Sequence, residues 1–113
     1  MITFQELQVA NRIRCEESFH SIDDWSPWEW TNAMAGEVGE CCNITKKMRR
    51  VPPANMYPPQ PGWMDLEDML KKEIADVVCY ADLLATRMGW DLADLVQAKF
   101  NEVSVRVGSE VKL

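Results

Sequence analysis

Apolar residues along this chain recur mostly at helical spacing, and no stretch shows the sustained two-residue alternation of a half-buried strand. Phe4, Leu7, Val9, Ile13 and Phe19 mark a first helix running to about residue 19, and Thr3 with Glu6 forms a capping-box pair at its start. His20 to Trp25 is a short connection. The next start signal is the clearest in the chain: Ser26 suits the cap, Pro27 the first helical position, and Glu29 lies three residues after the cap. This second helix is expected from Pro27 to about Arg49. Gly36 and Gly39 lie inside it, where each costs about 1 kcal/mol relative to Ala. They mark either a close approach by another helix or ligand, or tolerated packing glycines.

Residues 51–63, VPPANMYPPQPGW, carry five prolines and read as a loop. Its aromatic and Met content leaves two readings, a lid over a site or a passive crossover. A third helix is expected from near Asp65, a candidate cap, to Met88, with Gly89 as its stop. Asp91 caps a fourth, in which Leu92, Leu95, Val96, Phe100 and Val103 form an apolar stripe. The tail GSEVKL carries no helix signal. With no repeat and no boundary signal, residues 1–113 read as a single all-α domain.

Composition narrows the possible functions. The chain has 113 residues, 47% of them hydrophobic, so a core is possible, although a domain this short gains from association with other copies. Five Trp and seven Met point to core packing or a subunit interface. A net charge of −6 argues against broad nucleic-acid binding, which needs a basic stripe, but leaves room for a small anionic ligand arriving with a cation. Cys15, Cys41, Cys42 and Cys79 include no CxxC pair and read as reduced, mostly core thiols of a cytoplasmic protein. No signal peptide is read at the N-terminus, and no window approaches the roughly 18 apolar residues of a membrane span.

The candidate chemistry lies in two carboxylate pairs, Glu37 with Glu40 in AGEVGE, and Glu73 with Asp76 in KKEIADVVCY. A spacing of three places each pair on one helix face. The neighbours are core-type: Met34, Ala35, Val38 and Cys41 around the first pair, Leu70, Ile74, Ala75, Val77, Val78 and Tyr80 around the second. Partly buried like charges repel and raise one another's pKa unless a cation neutralises them. Oxygen donors select Mg²⁺, Mn²⁺ or Ca²⁺. Two antiparallel helices with a carboxylate cage between them is one reading; a solvated face is the other, since such tetrads are common on surface helices.

At these residues the sequence resembles the MazG-like family of all-α nucleoside triphosphate pyrophosphatases, whose mark is ExxE on one helix and ExxD on a later one. WSPWEWTNAMAGEVGECCNITKKMRR and EIADVVCYADLLATRMGWDLADLVQAKFNEVSVRVG carry the resemblance over more than half the chain. It implies a four-helix-bundle-like fold assembled as a dimer or a dimer of dimers. It also implies hydrolysis of a (deoxy)nucleoside triphosphate to the monophosphate and pyrophosphate, with Mg²⁺, or Mn²⁺, held by Glu37, Glu40, Glu73 and Asp76. One of the four, Glu40 for choice, would also activate the attacking water. Further substrate contacts implied are Trp25, Trp28 and Asn32, then Lys46 and Tyr80, then Lys99 and Asn101. Asn43 and Lys47 are weaker candidates, and His20 reads as a connection residue. The chain departs from the family in a longer gap between the tetrads and in Val103, where many relatives carry Asn. The rivals are a dUTPase-like or phosphoribosyl-ATP pyrophosphatase-like member of the same superfamily, and a non-catalytic helical dimerisation or regulatory module.

Overall fold

The computed structural model describes residues 1–50 and 62–113. Within them the regular elements are all helical: α1 Phe4–Ser18, α2 Pro27–Met48, α3 Trp63–Arg87 and α4 Leu92–Val107, with a 3₁₀ turn at Ile22–Asp24. The chain is therefore all-α among its described residues. Most of the proline-rich stretch read as a lid or crossover, residues 51–61, lies outside them.

The local chemistry of the termini explains the boundaries. Thr3 Oγ1 accepts from the Glu6 amide at 3.1 Å while the Thr3 amide donates to Glu6 Oε2 at 2.7 Å, so the capping box of α1 is closed. At α4 the Asp91 carboxylate accepts from the amides of Ala93 at 2.8 Å and Asp94 at 3.4 Å. The helix ends at Gly108, whose φ of 73° is the left-handed cap that glycine adopts without strain. Asp91→Ala is expected to lower stability by about 1 kcal/mol. A urea midpoint shifted down at unchanged slope is the check; no shift would show that the cap bonds are replaced by water at no cost.

One boundary and one connection differ from the sequence expectation. Helix α3 begins at Trp63, not near Asp65, because the Leu66 amide donates to the Gly62 carbonyl at 3.1 Å and the Trp63 indole donates to Glu67 one turn on. Asp65 thus sits inside the first turn, where its charge suits the helix dipole. The connection after α1 holds the 3₁₀ turn, fastened by the Ile22 amide donating to Glu16 Oε1 at 3.0 Å and the Ser21 amide to Asp24 Oδ2 at 3.2 Å. Three residues are too few to leave a periodic signature.

The chain forms two compact units. One comprises Met1–Pro27 and Ala81–Leu113, and buries Cys15, Ile22, Leu83 and Ala85 together with the polar Asn11, Asp82 and Ser104. In it Arg87 Nε donates to the Trp25 carbonyl at 2.8 Å. The other, Trp28–Tyr80, buries Trp30 and Ile44. Several positions of the apolar stripe and of the core-type segments are exposed in the single chain. In α4, Leu95, Val96 and Phe100 line an open apolar groove with Lys99 and Val103. In the second unit, Val38, Ile74 and Val78 are exposed. Gly36 and Gly39 have nothing within 4 Å of where a side chain would start, so no close approach within the described residues explains them. No helix among the described residues is long and apolar enough to cross a membrane.

Candidate metal centre

Helices α2 and α3 run antiparallel inside the unit Trp28–Tyr80. The pairings show it: early in α2, Trp30 meets Tyr80, with ring centroids 6.3 Å apart, and later in α2 Glu37 meets Glu73 and Asp76, earlier in α3. Trp30 is 1% exposed and anchors the pair of helices one end away from the acids.

Glu37, Glu73 and Asp76 each offer a carboxylate oxygen, and these oxygens lie within 4.8 Å of one another. Glu37 and Glu73 are half-buried and Asp76 is exposed, so the cluster sits at the surface with one side open to solvent. Glu40, the fourth acid of the two tetrads, is exposed and outside this group, although its charge still reaches Glu37. Burial pushes the Glu37 carboxyl above its ordinary range. A hydrogen bond to Glu73 that only protonated Glu37 can donate, and then the charges of Asp76, Glu73 and Glu40, push the same way. Cys41, one turn beyond Glu37, is held as a neutral thiol by burial and by the charge of Glu73. Sequence reasoning assigned Cys41 no part here; its position one turn after Glu37 on the same face was the available signal. The donor set is thus carboxylate oxygen, which fits a hard divalent cation such as Mg²⁺ or Mn²⁺.

A carboxyl raised above its unfolded value contributes stability that is present below that value and lost as pH rises through the folded one. Without metal, the Glu37 contribution to stability therefore declines from about pH 4 upward. Glu37→Gln removes one repelling charge and is expected to stabilise the metal-free protein at neutral pH by about 0.5 kcal/mol, the scale of a partly screened like-charge contact. A metal-free variant that melts below the parent at neutral pH would contradict the repulsion.

Tyr80 is half-buried against Trp30. Trp28, Asn32, Asn43, Lys46 and Lys47 are exposed on α2. In the other unit, Trp25 is half-buried with its ring 4.4 Å from that of His20, whose Nδ1 lies 2.8 Å from the Ser21 carbonyl. Lys99 is exposed and ion-paired with Glu102 at 2.7 Å. Asn101 is engaged by the tail: its Nδ2 donates to the Leu113 carbonyl at 3.1 Å and its Oδ1 accepts from the Leu113 amide at 2.9 Å.

Searches of protein-family models, of curated proteins and of solved structures found no match to this chain.

Proposed function

We propose that this chain is a Mg²⁺-dependent nucleoside triphosphate pyrophosphohydrolase of the MazG-like kind, converting a (deoxy)nucleoside triphosphate to the monophosphate and pyrophosphate. The observation that carries the reading is the convergence of Glu37, Glu73 and Asp76 from two antiparallel helices to within 4.8 Å. Like charges gathered at that distance call for a cation, and a cation held only by oxygen at an open surface suits polyphosphate. When bound, the ion supplies charge neutralisation at phosphate oxygens and acidifies a water.

The residues of the chain divide the work. Glu37, Glu73 and Asp76 hold the ion. Glu40, exposed one turn along α2 and outside the ligand group, orients or deprotonates the attacking water in this reading. Tyr80, fixed against Trp30, offers a rigid ring and hydroxyl to the nucleotide, and Lys46 a cation for phosphate. Trp25, Trp28, Asn32, Lys99 and Asn101 complete the substrate contacts that the resemblance implies. For Asn101 this requires the tail residue Leu113 to leave its amide. The exposed Val38, Ile74 and Val78 support a homodimer or homotetramer, in which these side chains are covered. The free thiols of Cys15, Cys41 and Cys42 support a reducing, cytoplasmic setting.

Pyrophosphate release from a panel of canonical and modified nucleoside triphosphates tests the reading. Mg²⁺-dependent release from any of them supports it and reports base preference. Silence across the panel from folded protein would move the assignment to a non-catalytic helical module.

A further inference from the structure

Another acidic residue of α3 is unlike those of the cluster. Asp82 lies between apolar neighbours in the run Ala81-Asp82-Leu83-Leu84 and is 0% exposed. Its one bonded oxygen, Oδ2, accepts from Asn11 Nδ2 at 2.9 Å, joining α1 to the end of α3 across 71 residues of sequence. Asn11 is itself only 3% exposed. The other oxygen, Oδ1, is buried and bonded to nothing among the described residues. Thr86, one turn on, also has a buried and unbonded hydroxyl, so it supplies no donor to Oδ1.

An ionised carboxylate has about four acceptor sites and, when buried, needs several donors or a cation. Asp82 has one neutral amide. The charged groups around it do not compensate. From α1, Arg14 Nη2 lies 3.5 Å from Asn11 Oδ1, so it touches the amide and not the acid. From the start of α4, Asp91 adds a negative charge that opposes ionisation.

We propose that Asp82 is a neutral carboxylic acid at physiological pH, latching α1 to the end of α3, and that the latch releases when alkaline pH ionises it. Burial pushes this carboxyl upward more than the Asn11 bond pulls it down, and Asp91 pushes it further up. The stabilising contribution of such a group is complete below the unfolded Asp value and disappears as pH rises through the raised folded value. The latch is thus a pH-sensitive element within the unit Met1–Pro27 and Ala81–Leu113. It does not rest on the proposed catalytic function, since none of the cluster carboxylates takes part.

The direct test is carbon-13 NMR of protein labelled at the Asp carboxyls, with Asp82→Asn used to identify the resonance. The expected result is one Asp carboxyl with the shift of a protonated acid at neutral pH, absent from the variant and titrating well above about 3.9, the ordinary Asp value. A resonance for Asp82 that is already ionised at neutral pH overturns the proposal. Melting temperatures provide the second measurement, in a Glu37→Gln background so that the cluster does not contribute its own pH dependence. The parent is expected to lose melting temperature between about pH 5 and about pH 9, and Asp82→Asn, which keeps the shape of the neutral acid, to lose less of it. A variant whose curve runs parallel to the parent, or that melts well below it at neutral pH or fails to fold, would show that the charge of Asp82 is used and that no neutral latch exists.

Discussion

Glu73→Gln is expected to reduce Mg²⁺-dependent pyrophosphate release by at least about 100-fold, the scale of removing one well-placed electrostatic group from a reacting site. Glu73 is one of the three carboxylates of the cluster. A hydrogen bond to it and its charge both help to raise the Glu37 carboxyl, its charge is felt at Cys41, and it lies with Asp76 on the same face of α3. Gln keeps the volume and the helix propensity but supplies one neutral acceptor where a charged one stood. The fold should therefore survive, as helical circular dichroism would show. Glu37→Gln and Asp76→Asn are expected to follow Glu73→Gln in weakening Mg²⁺ binding. Glu40→Gln should leave Mg²⁺ affinity nearly unchanged and lower turnover alone, because Glu40 stands outside the ligand group. Titrating Mg²⁺ against turnover for all four variants separates the roles. Activity of Glu73→Gln within about tenfold of the parent would exclude the cluster as the catalytic metal site.

Much of this arrangement is legible in the sequence. Thr3 with Glu6, and Asp91, are signals that act within four residues, and the helices begin where they predict. The two tetrads also indicated which helices would meet, because half-buried acids in apolar segments need a common partner. The sequence could not distinguish Glu40 from Glu37. A step of three residues turns the helix through about 300°, so two acids on one broad face can differ in whether they point at the neighbouring helix. Nor could it pair Asn11 with Asp82, since a contact spanning 71 residues leaves no local periodicity. The acid within Tyr80-Ala81-Asp82-Leu83 was nevertheless a visible anomaly. The apolar stripe of α4 was legible as a stripe, but what covers it was not. Periodicity reports that a face seeks cover, not whether its own chain or another copy provides it.

Mg²⁺ at saturating concentration is expected to raise the melting temperature of the protein markedly, even without nucleotide. A ligand that binds the folded state alone stabilises it by about 2.7 kcal/mol at 100 times its dissociation constant. For a domain of this size that corresponds to roughly 10 °C or more, at about 4–8 °C per kcal/mol. The effect should grow with pH. At acid pH Glu37 is protonated, and the ion must displace that proton to bind, so part of the binding energy is consumed. As pH rises, the metal-free protein loses the stability contributed by the protonated Glu37, while the metal-bound protein has its repulsion neutralised. The two melting curves should therefore diverge toward neutral pH and converge near the ordinary carboxylate range. Mn²⁺ should act like Mg²⁺, since both accept oxygen donors. In Glu73→Gln the divergence should shrink to the level of a nonspecific salt effect, measured with an equivalent ionic strength of NaCl. A shift of the same size in parent and variant would mean that the ion acts on the surface charge of −6 as a whole and not at the three carboxylates. The proposed catalytic reading would then lose its structural basis, whatever activity the panel of nucleotides revealed.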